Sequence, residues 1–287
     1  MNFLTFWQTL PLHMDPVIVH IGSFRLQWYG LMYLVAFAVT YRLARYRTRT
    51  ESQRFPYDEE FLKNLLTYGF LGVLVGGRLG YVLFYNLPYY AGHPFEIFLP
   101  FRSGPTGWRF SGISGMSYHG GLTGCFLACA WFCRKYKADF WNLADLFFPA
   151  VPLGYTFGRI ANFINGELWG RETTSAIGMH FPDAPGFSLR HPSQLYEAFF
   201  EGLVLFAILW SLRKRRFPKG SFAGLYLIGY GCFRFFIEFF REPDAQLGLV
   251  FFGKFSMGQA LCTAMILVGL VFLAWRSHVA KSSVAVS

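Results

Sequence analysis

The stretch Gly158-Arg159-Ile160-Ala161-Asn162-Phe163-Ile164-Asn165-Gly166-Glu167-Leu168-Trp169-Gly170 puts an arginine, an asparagine and a glutamate at the end of an otherwise apolar segment. A charged side chain in hydrocarbon costs about 2.5 kcal/mol or more, so it faces a cavity, a partner or a polar ligand. Arg159 and Asn162 are three apart and share one helix face. Asn165-Gly166 is a turn dipeptide, which ends the helix and lets Glu167 fold back at the water boundary. The pattern reads as an anion site cut into the edge of a bilayer.

Three other constellations could contribute. Tyr230, Arg234 and Glu238 are spaced four apart and form one polar stripe on an apolar segment. The bland reading is an Arg234–Glu238 pair that neutralises itself, although a carboxylate preceding the base is the better order at that spacing. The functional reading is a second inward arginine that completes a phosphate clamp with Arg159. In Ser117-Tyr118-His119-Gly120-Gly121 the histidine suits a general base near neutral pH, and the glycines would expose N–H groups at a helix start, where anions bind. A hydrogen-bonded structural histidine is the competing reading. Trp28-Tyr29-Gly30 reads by itself as part of an interfacial aromatic belt. In His191-Pro192-Ser193-Gln194-Leu195-Tyr196-Glu197 the Pro-Ser pair starts a helix, and His191 and Glu197 stand as supports.

These residues need apolar helices to hold them, and the composition supplies such helices. Of 287 residues 54% are hydrophobic and only 15% charged, against roughly 25% charged in a soluble domain. No Pro/Ser/Gly-rich linker divides the chain, so the expectation is one integral membrane domain over 1–287, all-α. About seven spans of roughly 20 apolar residues are expected, near 28–45, 62–86, 117–134, 143–164, 194–212, 221–240 and 256–275. The connections 87–116 and 165–193 are too long for tight turns, and loops of that length are commonly functional. Gly72, Gly76 and Gly80, and Gly154 with Gly158, form ladders that allow close helix packing, or leave room for a lipid chain. Arg78 interrupts the first ladder.

The net charge of +10 would suggest nucleic acid in a soluble chain. Here the basic residues cluster between apolar segments, so lipid headgroups and topology explain them and no nucleic acid is expected. Arg45, Arg47, Arg49 and Arg54 follow the first span, Arg134, Lys135 and Lys137 the third, Arg213–Lys219 the fifth, and Arg276 and Lys281 the seventh. Arg102, Arg109, Arg171, Arg190, Arg241 and Lys254 sit more sparsely in the loops between. The positive-inside rule then places the N-terminus outside and the C-terminus in the cytoplasm, with 87–116 and 165–193 external. The first 27 residues lack the basic region and apolar core of a signal peptide; Phe3, Leu4, Trp7 and Leu10 could instead face one side of a short interfacial helix.

Cys125, Cys129, Cys133, Cys232 and Cys262 form no C-x-x-C pair and have no His or carboxylate at ligand spacing, so they read as small apolar side chains and no metal or cofactor is expected. G-x-S-x-G, H-E-x-x-H and Walker patterns are missing, which argues against serine hydrolase, zinc protease and P-loop chemistry.

At these residues the chain resembles the prolipoprotein diacylglyceryl transferases of the bacterial inner membrane. The resemblance runs through Trp28-Tyr29-Gly30, Gly77-Arg78, His119-Gly120-Gly121, the Gly158–Gly170 signature and His191–Glu197. It continues through Gly229-Tyr230-Gly231, Phe233-Arg234 and Arg241-Glu242-Pro243-Asp244. Ile160-Ala161 stands where the family usually has Leu-Gly, residues 100–116 look longer than usual, and 172–190 look shorter. The resemblance implies transfer of the diacylglyceryl group from phosphatidylglycerol to the lipobox cysteine of a preprolipoprotein signal peptide, releasing glycerol 1-phosphate. It implies that Arg159 and Arg234 hold the phosphate. His119, with or without Tyr29, would deprotonate or orient the thiol, Asn162 and Tyr230 supply hydrogen bonds, Glu167 and Glu238 fix the arginines, and Gly170 permits the loop's close return. The rival class is a lipid-binding or transport protein; it fits less well, because there is no clear internal repeat and the polar residues gather on one face.

Overall fold

The computed structural model describes residues 2–21, 24–99, 101–104, 107–110, 115–242, 249–251 and 255–285. Pro243, Asp244 and Lys254 lie outside the described residues. The chain packs as two compact units, one formed by Met1–Arg47 with Ala144–Ser287 and the other by Thr48–Leu143.

The chain is mostly helical. In order it forms α1 (Phe3–Thr9), α2 (Trp28–Thr50), α3 (Glu59–Tyr85), α4 (Leu87–Gly92), α5 (Tyr118–Lys135), α6 (Phe140–Phe147) and α7 (Val151–Ile164). α8 (Ser193–Glu197), a π-helical segment (Ala198–Val204), α9 (Leu205–Leu212), α10 (Ser221–Ile237) and α11 (Met257–Ala285) follow. Among the described residues, three continuous helices are long and apolar enough to cross a membrane: Glu59–Tyr85, Ser193–Leu212 and Met257–Ser282. Three antiparallel hairpins among the described residues add strands that the helical reading did not contain: β1 (Val17–Ile21) with β2 (Phe24–Gln27), β3 (Phe101–Gly104) with β4 (Gly107–Phe110), and β5 (Leu249–Phe251) with β6 (Phe255–Ser256).

The span expected at 143–164 is not one helix. It breaks between α6 and α7, where Pro152 in the first turn of α7 lacks the N–H that a continuous helix needs. The break leaves backbone groups without helical partners, and side chains from elsewhere in the same unit take them up. Arg47, fully buried, donates from Nη1 to the carbonyls of Asp145 at 2.6 Å and Leu146 at 2.9 Å. The Asp145 carboxylate accepts the N–H groups of Gly220 and Phe222 at 2.9 and 3.0 Å, capping the start of α10. Arg47 is therefore a packing residue inside α2 and not a solvated loop charge.

In the second unit the glycine ladder is a helix contact. A Cβ on Gly72 would stand 2.5 Å from the Gly124 carbonyl oxygen, and Gly76 and Gly120 abut each other's backbones. α3 and α5 thus meet backbone to backbone, as small-residue ladders allow in lipid. Asp58 caps α3 by accepting from Phe61 N, and Ser117 caps α5 by accepting from Gly120 N. Arg78 is buried, with Nη2 donating to Tyr90 OH at 3.1 Å and to the Glu96 carbonyl at 2.8 Å.

The N-terminal face expected from Phe3, Leu4, Trp7 and Leu10 divides. Phe3 and Leu4 are exposed on α1. Trp7 and Leu10 turn inward onto Phe163, Met179 and Phe181, and Trp7 Nε1 donates to the Ile177 carbonyl at 3.1 Å.

Candidate active site

The site is built in the first unit from α7, the loop after it, α8 with the π segment, and α10. α7 ends as the turn dipeptide dictates. Asn165 is the C-cap, and Gly166 takes a left-handed φ of 68°, which only glycine enters without cost. Glu167 N returns to the Asn162 carbonyl at 3.1 Å. Gly170 lies so close to Phe240 and His191 that an added Cβ would stand 2.8 Å from His191 Cβ. Its N–H donates to the His191 carbonyl at 2.8 Å, and Arg171 N donates to the Phe240 carbonyl at 2.9 Å.

Helix entry after the loop serves the same purpose. Pro192 is the N-cap of α8 but makes no side-chain cap. Ser193, expected to start that helix by capping, instead donates from Oγ to the Leu168 carbonyl at 2.9 Å. Gln194 donates to the Glu167 carbonyl at 2.5 Å. The backbone of 167–168 is pinned from the opposite chain segment. His191 Nδ1 is 3.0 Å from Tyr196 OH, and partial burial depresses the imidazole pKa, which favours the neutral ring.

The charged groups converge behind this turn. Arg159 Nη1 donates to Asn162 Oδ1 at 3.0 Å, and Asn162 Nδ2 donates to Glu167 Oε1 at 2.8 Å. Arg159 Nε donates to Tyr155 OH at 2.7 Å and lies 2.8 Å from Glu197 Oε2. Arg234 Nη1 lies 2.9 Å from Glu197 Oε1 and 3.8 Å from Glu201 Oε1, and its Nη2 lies 3.2 Å from Glu238 Oε2. Glu238 is also approached by Arg241 at 4.0 Å and receives a hydrogen bond from Ser256 Oγ at 3.2 Å. Tyr155 OH donates to Glu201 Oε2 at 2.5 Å. Tyr230 packs edge-to-face on Tyr155, with ring centroids 5.8 Å apart.

Arg159, Asn162, Glu167, Tyr230, Arg234 and Glu238 thus come together, with Gly170 shaping the turn beside them. Two details differ from expectation. Glu167 reaches Arg159 only through Asn162, so the carboxylate that fixes both arginines is Glu197. Gly120 does not offer its N–H to an anion; Ser117 Oγ takes it at 3.2 Å, while Gly121 N bonds the Ser117 carbonyl at 2.9 Å. Tyr29, half-buried on α2, has its hydroxyl 3.4 Å from that of Tyr33, which lies within electrostatic range of Arg159 and Glu167. His119 belongs to the other unit, exposed in the first turn of α5 and edge-on to Tyr118.

Sequence reasoning missed Tyr155 and Glu201. A signal existed: Tyr155 precedes Arg159 by four residues, and Glu201 follows Glu197 by four, so each lies on its partner's helix face. The π segment widens the turn at this point, and Thr156 Oγ1 donates to the Ala198 carbonyl at 3.3 Å. Such segments occur disproportionately at functional sites.

What these features define is a helical membrane protein with a buried, mostly paired arginine–carboxylate cluster in which the Arg159 side chain keeps 21% exposure. The sequence model described as prolipoprotein diacylglyceryl transferase matches residues 16–275, and the chain belongs to that family. It is 55% identical over 282 residues to the phosphatidylglycerol–prolipoprotein diacylglyceryl transferase of Chlorobaculum tepidum, covering 98% of this chain and 96% of that one. The enzymes of the same name from Pseudoalteromonas atlantica and Francisella tularensis subsp. novicida are 47% and 45% identical. Those matches cover 94% and 91% of this chain, and 93% and 92% of theirs.

Proposed function

We propose that this chain is a phosphatidylglycerol–prolipoprotein diacylglyceryl transferase. A lipobox cysteine thiol loses its proton, and its sulfur attacks the glycerol carbon that carries the phosphate ester. A C–S thioether bond forms, that carbon's C–O bond breaks, and glycerol 1-phosphate leaves with the bonding electrons. The leaving phosphate gains from fixed positive charge that is already oriented. The observation that carries the reading is Arg159. Its Nε edge is engaged by Tyr155 and Glu197 and its Nη1 by Asn162, while the side chain keeps 21% exposure. A guanidinium so held presents charge to an anion without reorganising.

In this reading Arg159 and Arg234 supply the phosphate clamp, Asn162 and Tyr230 its polar lining, and Glu167 and Glu238 the orientation. Gly170 keeps the loop close, and His119 and Tyr29 serve the thiol. Both compact units belong to one integral membrane domain over 1–287, with about seven spans in the bacterial cytoplasmic membrane. The N-terminus is external and the C-terminus cytoplasmic, so lipid and signal peptide meet at the external face. Reporter fusions should then score cytoplasmic after Arg216 and external near Pro185; the reverse would overturn the orientation.

The functional test is direct. Mass-tagged phosphatidylglycerol incubated with the purified chain and a lipobox peptide should give the thioether peptide and glycerol 1-phosphate in equal amounts. Absence of thioether product, with lipid still bound, would favour a lipid-binding protein.

A further inference from the structure

Arg159 and Arg234 are not held alike. Arg234 meets three buried carboxylates, those of Glu197, Glu201 and Glu238. Arg159 meets one carboxylate directly, and its Nε–H points at a neutral hydroxyl, that of Tyr155. That hydroxyl donates in turn to Glu201, 3.8 Å from Arg234, and also lies 3.3 Å from Glu197 Oε2. The result is a closed ring: Arg159, Tyr155, Glu201, Arg234, Glu197 and back to Arg159. Glu197 closes one side by charge; the other runs through the two hydrogen bonds of Tyr155 OH, from Arg159 and to Glu201, and the 3.8 Å Glu201–Arg234 ion pair.

The two sides do different work. The Glu197 carboxylate approaches both arginines at 2.8 and 2.9 Å, but Nε–H aligns with the tyrosine oxygen and not with the carboxylate. A charge attracts from a range of directions, whereas a hydrogen bond weakens steeply away from linearity. The Arg159 plane is therefore directed by Tyr155 at Nε together with Asn162 at Nη1, and the Tyr155 ring also lies under the guanidinium with Cζ 4.7 Å from the ring centroid. Tyr155 itself is held by Glu201 at 2.5 Å, by a longer hydrogen bond to Glu197 at 3.3 Å and by the edge-to-face contact with Tyr230.

We propose that Tyr155 and Glu201 are positioning residues that orient Arg159, so that its Nη edge faces the phosphate of the lipid donor and of the phosphate product. The proposal rests on the transferase reading above. Neither residue touches the thiol or the peptide in this assignment. Their removal is expected to act on the phosphate side of the reaction alone.

The experiment uses the full chain in phosphatidylglycerol-containing nanodiscs, with a lipobox peptide as acceptor and glycerol 1-phosphate as inhibitor. Tyr155→Phe keeps the ring and removes only the hydroxyl. It should raise both the KM for phosphatidylglycerol and the inhibition constant of glycerol 1-phosphate by about 10-fold, the scale of one charge-assisted hydrogen bond. The KM for the peptide should stay at its wild-type value, while the melting temperature falls because Glu201 and Arg159 each lose a buried hydrogen-bond partner. Glu201→Gln should move the same two constants in the same direction. The double variant should be less impaired than the product of the single effects, because both act through one hydroxyl. Wild-type constants in Tyr155→Phe would overturn the proposal, as would a loss shared equally by the lipid and peptide constants. If Tyr155→Phe does not fold, Glu201→Gln decides by the same two constants. If the wild-type chain forms no thioether at all, the functional reading fails. Calorimetric binding of glycerol 1-phosphate to wild type and Tyr155→Phe then still decides the positioning role.

Discussion

Arg234 Nη1 lies 2.9 Å from Glu197 Oε1, and the carboxylate it meets is 1% exposed. The same carboxylate reaches Arg159 with its second oxygen, so one anion at the end of α8 ties α7 to α10. A buried pair broken on one side leaves an uncompensated charge, at a cost of about 3–5 kcal/mol. The two arginines differ in that cost, because Arg234 is the more enclosed and serves three carboxylates.

Arg234→Ala should therefore lose both transfer activity and melting temperature, while Arg159→Ala should lose activity with a smaller shift in melting. Lysine at either position should restore only part, since an ammonium cannot reproduce the planar fork that meets two partners. Activity assays and thermal melts on the four variants check this. Full activity in either alanine variant would exclude that arginine from the phosphate clamp.

The sequence was most legible where local chemistry decides structure. The Asn165-Gly166 turn, the shared face of Arg159 and Asn162, and the long apolar helices at Glu59–Tyr85 and Met257–Ala285 follow from turn dipeptides, helix spacing and hydropathy. What stayed hidden depends on partners distant in sequence. Arg47 looked like a loop charge because its carbonyl partners lie about a hundred residues away at the α6–α7 break. Gly120 looked like an anion cradle because the residue packing against it, Gly76, is on another helix. Glu197 looked like a support because its two arginines come from two other helices. Hydropathy also could not reveal the break before Pro152, since both halves are apolar.

The glycine contact predicts a sharp contrast within the second unit. A side chain at Gly76 would collide with the α5 backbone at Gly120, whereas Gly92 has nothing within 4 Å of an added Cβ. Gly76→Leu should lower stability by about 1–3 kcal/mol or more, the usual cost of overpacking, and Gly92→Ala should change it little. Thermal unfolding in detergent checks the pair. Equal melting temperatures would show that α3 and α5 do not meet through these glycines.

His191 gives a pH dependence with a definite sign. Burial lowers its pKa from the ordinary value of 6.5, so the unfolded chain binds the proton more readily than the folded one. Its contribution is fully present above pH 6.5 and is lost as pH falls through the lower folded value. Melting temperature should therefore drop as pH falls below about 6.5, and His191→Asn should flatten that part of the curve relative to wild type. The two curves recorded side by side isolate His191 from the other titrating groups. An unchanged slope in the variant would remove the imidazole from the account and leave only its backbone carbonyl, which accepts from Gly170 N.

His119 is assigned to the thiol on its chemistry, and its surroundings make the assignment testable. It is exposed in the first turn of α5, with Tyr118 edge-on to its ring, while the glycines beside it are engaged in packing and capping. Glycine N–H groups are thus no help to an anion here, and any role must come from the imidazole. If the ring accepts the thiol proton, His119→Gln should lower kcat far more than it raises the KM for phosphatidylglycerol. The wild-type rate should also rise with pH along a limb that the variant lacks. Single-turnover rates for both proteins from pH 5 to pH 9 separate the alternatives. A variant that keeps the same rising limb and near-normal turnover would make His119 an orienting residue. The thiol proton would then pass to Tyr29 or directly to water.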